Sequence, residues 1–299
     1  MTIAKVKEAI QNLKAKGGKH ATRFAPSPTG YLHLGHVASA IMVWGVSRQI
    51  SATVRLRIED VDLSRAKPEY YEAILKDLEW LGFEPDFPST IQSRYQERYE
   101  IALSKLRSSN LTYFCGCSRK EISATSEDPS RMIYKGTCRA KGLTEGPNRG
   151  VRLGTADDPV DFFDFYTKQT YSNPASHLGD ILIKDRLAQW TFLFASAVDD
   201  VTEGISLIIR GQDLLDTCQR QLYIKRCLGH EQPVLFLHHP LLVDDTGKKL
   251  SKRFLSTSVT QFREQGAGSE KILGEAAFAL GLTTKNIPMS LQEIYGLFE

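Results

Sequence analysis

Apolar positions along this chain change their spacing in a regular order, and the changes lay out its elements. Val6, Ile10 and Leu13 recur at helical spacing within the Lys-rich residues 1–20. Ala21–Ala25 reads as a short strand. Pro26-Ser27-Pro28-Thr29-Gly30 ends it, because two prolines fix φ and remove donors while Gly30 permits an unusual turn. From about His33 the period is helical again, with Leu34, Val37, Ala38 and Ile41 as a buried stripe. Val54, Leu56 and Ile58 alternate through a second strand, Thr53–Ile58, that runs into Glu59-Asp60-Val61-Asp62. Lys67-Pro68 opens a helix with Tyr71, Ile74, Leu75, Leu78 and Leu81 on its apolar face, and Gly82 stops it. Arg94–Leu106 is a further helix.

Runs 151–153, 160–166 and 180–184 are strand-like and separated by Gly, Asp, Asn and Pro. Trp190–Asp200 returns to core composition. Ile205–Ile209 is a buried strand that delivers Arg210-Gly211-Gln212-Asp213, and a helix follows through Cys227. Residues 258–299 predict two or three short helices. Strands alternating with helices indicate an α/β fold around a parallel sheet.

Composition narrows the class. A chain of 299 residues holds one large or two modest domains. It has no apolar run near the roughly 20 residues of a membrane helix. Residues 1–20 lack the apolar core and cleavage site of a signal peptide and read as an extension helix. A net charge of +3, with acids and bases intermixed, excludes a polybasic tail but leaves room for a nucleic-acid partner on one basic face. Five cysteines, an odd number, point to reduced thiols and a cytoplasmic location. No G-x-x-x-x-G-K-[ST] stretch is present, which argues against a P-loop kinase.

Five groups of residues are candidates for chemistry. His33 and His36 lie on one face at a helix start, where free N–H groups and partial positive charge suit an anion, and small Gly35 between them allows close approach. Taken alone, the same spacing also describes two surface histidines. Glu59 and its neighbours follow a strand's carboxyl end, where ligands of open parallel sheets sit, though such acids also cap elements. Arg210, likewise at a strand end, could pair bidentately with a substrate carboxylate, or with Asp213 or Glu203. Asp244–Lys249 is a polar turn followed by Leu250-Ser251-Lys252-Arg253, and a loop with Gly247 and clustered lysines, Lys249 and Lys252 among them, suits phosphate or forms a basic surface turn. Cys115, Cys117 and Cys138 offer three thiolates to a zinc ion that takes four ligands in a structural site, with no histidine nearer than His177. They could equally be three unlinked buried cysteines.

RFAPSPTGYLHLGH (23–36) resembles the first signature of class I aminoacyl-tRNA synthetases, in the form used by the glutamyl and glutaminyl branch. RIEDVDLSRAKPEYYEAILKDLEWLGFEPD (57–86), IRGQD (209–213) and KLSKR (249–253) extend that resemblance, which runs from Ala21 to about Leu282. It implies a Rossmann-like parallel-sheet catalytic domain, a zinc-bearing α/β insertion and a short C-terminal helical region. The expected division is an N-terminal extension at 1–20, a first catalytic half at 21–108 and an insertion at 109–178 that receives the tRNA acceptor end. A second half at 179–245 follows, then the KLSKR loop and helices at 246–299, with no anticodon-binding domain.

In such truncated members the implied reaction is ATP-dependent activation of L-glutamate to glutamyl-adenylate without tRNA. The glutamyl group then passes to queuosine in the anticodon of tRNA(Asp). Alternatives are charging of a tRNA 3′ end, activation for another acceptor, and a non-catalytic binding paralogue. The resemblance assigns ATP to His33, His36 and Lys252, and catalytic cations to these and Lys249, with Mg²⁺ accompanying ATP. It assigns glutamate to Arg23, Ser27, Glu59 and Arg210. Phe192 stands where the family has a tyrosine, and a lost hydrogen bond to a charged group costs roughly 1.5–3 kcal/mol. The zinc ligands implied are Cys115, Cys117, Tyr134 and Cys138. The family also suggests a monomer.

Overall fold

The computed structural model describes residues 2–125, 133–242 and 257–299. Helix α1 (Thr2–Lys16) buries Val6, Ala9, Ile10 and Leu13. It does not extend away from the body: those four side chains join the main core, and α1 packs on α2. Strand β1 (Ala21–Phe24) gives way to the proline turn as expected, and α2 (Leu34–Ile50) follows with His33 as its N-cap. Nearly every side of α2 is buried, because the sheet, α1 and the C-terminal helices enclose it. Gly45 is needed there, since a Cβ would come within 2.4 Å of the Phe298 ring.

Strand β2 (Thr53–Ile58) pairs in parallel with β1 and with the short β3 (Thr90–Ile91). Between them α3 (Pro68–Leu81) ends at Gly82, whose φ of 82° favours glycine. Helix α4 (Gln96–Ser108) continues a 3₁₀ turn at Gln92–Tyr95. Strand β4 (Thr112–Cys115) and helix α5 (Arg119–Thr125) open the cysteine-bearing module.

The strand-like runs at 151–153, 160–166 and 180–184 divide between two sheets. Strands β5 (Gly150–Leu153) and β8 (Ile181–Lys184) do form an antiparallel sheet with β4. Strand β6 (Pro159–Asp164), in a hairpin with β7 (Gln169–Pro174), instead borders the second parallel sheet. Helix α6 (Phe192–Thr202) leads to β9 (Leu207–Gly211), α7 (Cys218–Cys227) and β10 (Leu235–His239). Strands β9 and β10 are parallel, and Ser206 N–H donates to the Ala21 carbonyl at 3.1 Å, so β9 lies beside β1.

Three helices close the chain: α8 (Val259–Glu264), α9 (Ser269–Ala279) and α10 (Leu291–Gly296). Buried Asp77 on α3 accepts from Thr260 Oγ1 at 2.7 Å and Arg263 Nε at 3.1 Å, which ties α8 to the first parallel layer. Among the described residues no helix is long and apolar enough to cross a membrane.

Candidate active site

The carboxyl ends of β1, β2 and β9 and the start of α2 surround a cleft of about 720 Å³. Arg23, Ser27, His33, His36, Glu59, Phe192 and Arg210 all line it. Lys249 and Lys252 lie outside the described residues. On either side of that segment, Leu242 lines the cleft and Ser258 forms a bridge with His33.

The two histidines are fixed by the helix they begin. His33 Nδ1 accepts from Gly35 N–H at 3.1 Å, and His36 Nδ1 accepts from His33 N–H at 3.1 Å. A backbone N–H can only donate, so both rings carry their proton on Nε2. Burial pushes the His33 pKa down. Burial, helped by the nearby His33, pushes His36 down to about 3. Two neutral Nε2–H donors, with ring centres 3.9 Å apart, therefore stand at a helix N-terminus. This arrangement suits an anion such as a phosphate.

The other side of the cleft rests on a buried ion network. Asp200 Oδ1 accepts from Arg23 Nε at 3.1 Å and from an Arg57 terminal nitrogen at 2.9 Å, and Lys225 Nζ lies 3.5 Å from Oδ2. Arg57 also reaches Glu59 at 3.0 Å, Glu203 at 3.0 Å and Ser196 Oγ at 3.1 Å. Although burial opposes ionisation, Arg23, Lys225 and Arg57 hold the Asp200 carboxyl well below its usual range. Burial pushes Glu59 up, against the pull of Arg57 and Arg23. Among the described residues the terminal nitrogens of Arg23 and Oε2 of Glu59 have no hydrogen-bond partner. The cleft thus presents a cationic fork beside a carboxylate oxygen.

Arg210 departs from expectation. It pairs with neither Asp213 nor Glu203. Nε donates to His238 Nε2 at 3.1 Å, one terminal nitrogen to Gln221 Oε1 at 2.9 Å, and the other to Thr217 Oγ1 at 3.0 Å and Cys218 Sγ at 2.9 Å. Four of its five N–H groups are engaged within the protein, which leaves one N–H and the charge for the cleft. The expected bidentate pair to a carboxylate is therefore available to Arg23 and not to Arg210. Phe192 begins α6 at the cleft wall and brings no hydroxyl there.

The cysteine module brings its expected residues together. The sulfurs of Cys115, Cys117 and Cys138 lie within 4.8 Å of one another. Tyr134 Oη is 3.4 Å from Cys115 Sγ and 3.5 Å from Cys117 Sγ, and accepts from Cys138 N–H at 2.8 Å. Thiolates around a tetrahedral zinc at about 2.3 Å would stand roughly 3.8 Å apart, so this donor set fits a metal ion. Burial raises the Cys138 thiol pKa, but hydrogen bonds from Tyr134, Gly116 and the other two cysteines outweigh it and bring it to about 7. The Arg152 guanidinium lies 3.9 Å over the Tyr134 ring and holds it in place.

Arg57, Asp200 and Lys225 were not anticipated from the sequence, nor were Asp164 and His238 behind Arg210, and Glu203, offered as a partner for Arg210, pairs with Arg57 instead. The available signal was a charge in the interior of each core element: Arg57 in β2, Asp199-Asp200 in α6 and Lys225 in α7.

Residues 19–290 match the family described as tRNA synthetases class I (E and Q), catalytic domain. A glutamyl-Q tRNA(Asp) synthetase of Burkholderia cenocepacia is 41% identical over 244 residues, covering 79% of this chain and 81% of its own. A glutamate–tRNA ligase of Frankia casuarinae is 34% identical over 252 residues, covering 83% of this chain but 53% of the ligase. The crystal structure of a glutamate tRNA ligase from Elizabethkingia meningosepticum, in complex with its amino acid, is 25% identical with a TM-score of 0.75. That match covers 93% of this chain and 64% of the ligase, so the chain spans less than two thirds of that structure.

Proposed function

The chain belongs to the class I tRNA synthetase family of the E and Q type, and from that premise we propose that it activates L-glutamate with ATP and transfers it to queuosine in the anticodon of tRNA(Asp). The observation that carries this reading is the pairing within one cleft of two Nε2–H histidines at a helix N-terminus with the free fork of Arg23. One end suits phosphate and the other a carboxylate.

An oxygen of the glutamate α-carboxylate attacks the α-phosphorus of ATP, the bond to the bridging oxygen breaks, and pyrophosphate leaves. No protein nucleophile is required, so catalysis is positioning plus stabilisation of phosphate charge. His33 and His36 donate to phosphate oxygens through Nε2–H, and Lys249 and Lys252 supply cations. Mg²⁺ accompanies ATP and neutralises phosphate charge. Glu59 receives the α-ammonium group. Arg23 forks onto the side-chain carboxylate, Arg210 adds one N–H and its charge, and Ser27 helps place the backbone of the amino acid. The adenylate forms without tRNA, and its glutamyl group then passes to the modified base of tRNA(Asp) as AMP leaves. Cys115, Cys117, Tyr134 and Cys138 would hold a structural zinc ion that ties the module together. The thiol content supports a cytoplasmic location, and the family supports a monomer.

The test is transfer of labelled glutamate, with ATP, to tRNA(Asp) with and without queuosine. Label on the modified tRNA alone supports the reading. The similarity to the Frankia casuarinae ligase favours a second one, charging of a 3′ end, and label on the 3′ ribose would establish that instead.

A further inference from the structure

Behind Arg210 lies a second histidine arrangement, of opposite polarity to the pair on α2. His238 on β10 is fully buried, and its Nδ1 is 2.7 Å from Asp164 Oδ2. The same oxygen accepts the His238 backbone N–H at 2.9 Å. Asp164 Oδ1 accepts from Tyr166 N–H at 3.1 Å and Thr167 N–H at 2.8 Å, so the turn after β6 fixes the carboxylate. A carboxylate only accepts, so the His238 proton sits on Nδ1. In the neutral ring Nε2 is then a lone pair, as the Arg210 Nε–H requires, and Cys218 Sγ lies 3.3 Å from the same nitrogen. Asp164 sets the tautomer, the tautomer sets the acceptor, and the acceptor sets the plane of the guanidinium. Gln221, Thr217 and Cys218 hold three of the other four N–H groups in that plane.

We propose that His238, oriented by Asp164, is a positioning residue for amino-acid recognition: it locks Arg210 so that one N–H and the positive charge face the cleft in a single direction. The inference rests on the reading in which Arg210 meets the substrate's side-chain carboxylate. A locked arginine that gives one hydrogen bond discriminates by charge and place, leaving the fork to Arg23. An arginine free to rotate would accept a carboxylate in several registers, or a carboxamide.

The test compares two substitutions at one buried position. In His238→Gln the side-chain oxygen reaches the place of Nε2 and still accepts from Arg210. In His238→Asn the side chain reaches only the place of Nδ1, which keeps the donor to Asp164 and leaves Arg210 Nε unpaired. Amino-acid-dependent pyrophosphate exchange is measured for both. The expected result is a KM for glutamate raised about tenfold or more in H238N, with KM for ATP nearly constant, and recovery of most of that loss in H238Q. Discrimination of glutamate over glutamine falls in H238N. Equal effects of the two variants, or a parallel rise in KM for ATP, would overturn the proposal.

A measurement on the wild-type chain guards against misfolded variants: nitrogen NMR of the ¹⁵N-histidine-labelled protein should show His238 as the Nδ1–H tautomer, and an Nε2–H ring there sinks the relay. Should the wild-type chain exchange pyrophosphate with an amino acid other than glutamate, the substrate reading falls. The Asn and Gln variants are then compared on the KM of that amino acid.

Discussion

Asp200→Asn keeps the shape of a side chain on which three cations converge and removes its charge. Arg23 and Arg57 donate to Oδ1 at 3.1 and 2.9 Å, and Lys225 approaches Oδ2 to 3.5 Å. None of the four side chains is more than 5% exposed. In the variant, one oxygen becomes an NH₂ group that must face a guanidinium or an ammonium. Removing one partner of a buried pair costs about 3–5 kcal/mol, because the remaining charge stays desolvated. Lys225 softens this. Burial already lowers its pKa, and without Asp200 it sheds its proton more readily, so the loss belongs near the lower end, about 3 kcal/mol.

The sign of the pH dependence follows. The unfolded chain keeps that lysine protonated up to about 10.4 while the folded variant does not, so the folded variant gains stability as pH rises toward that value. Urea denaturation at pH 7 and pH 9 should show D200N losing less, relative to wild type, at the higher pH. Pyrophosphate exchange on the same samples should show a raised KM for glutamate, since Arg23 has lost its tether, with KM for ATP little changed. A stability loss below about 1 kcal/mol together with an unchanged KM for glutamate would refute the reasoning, because Asp200 would then be holding neither the network nor the fork.

Three further outcomes are expected. Chelation, or Cys138→Ser, should release about one equivalent of zinc by elemental analysis and lower the melting temperature, whereas metal-free protein with an unchanged melting curve would remove zinc from the account. His36 titrates at about 3 in the folded chain against about 6.5 unfolded, so its contribution is complete above pH 6.5 and is lost as pH falls through that window, at up to roughly 1.4 kcal/mol per unit. His36→Gln should flatten that slope in urea midpoints taken between pH 6.5 and 5, and an unaltered slope would contradict it. Phe192→Tyr should lower KM for glutamate by about tenfold or more in pyrophosphate exchange, and an unchanged or higher KM would mean that the cleft already supplies the missing hydrogen bond.

What the sequence disclosed and what it hid separate by the range of the interaction. His33 and His36 were legible because their geometry is local: prolines end a strand, a helical stripe begins, and both rings cap the helix they start. The strand before Glu59 and the helix stopped by Gly82 were legible for the same reason. Arg57 was not. Alternation in β2 marks Val54, Leu56 and Ile58 as one buried face and leaves Arg57 on the other, which reads as solvent. The strand is covered on both faces, and Arg57 is fully buried against acids contributed by α6 and the residue that follows it. Strand β7 escaped notice for the reverse reason: none of its six side chains is fully buried, so no apolar period marks it. The N-terminal helix was visible as a helix, but its docking on α2 is a property of the partner. Tyr134 could be named only through the family resemblance, since no spacing rule calls for a phenol among thiolates. Asp200, Glu203 and Lys225 gain their roles from Arg23 and Arg57, which lie in the opposite half of the parallel core. That network, from residues distant in sequence, supports the Arg23 side of the cleft. Charge changes in α6 or α7 should therefore alter amino-acid affinity even where the substituted side chain never meets the substrate.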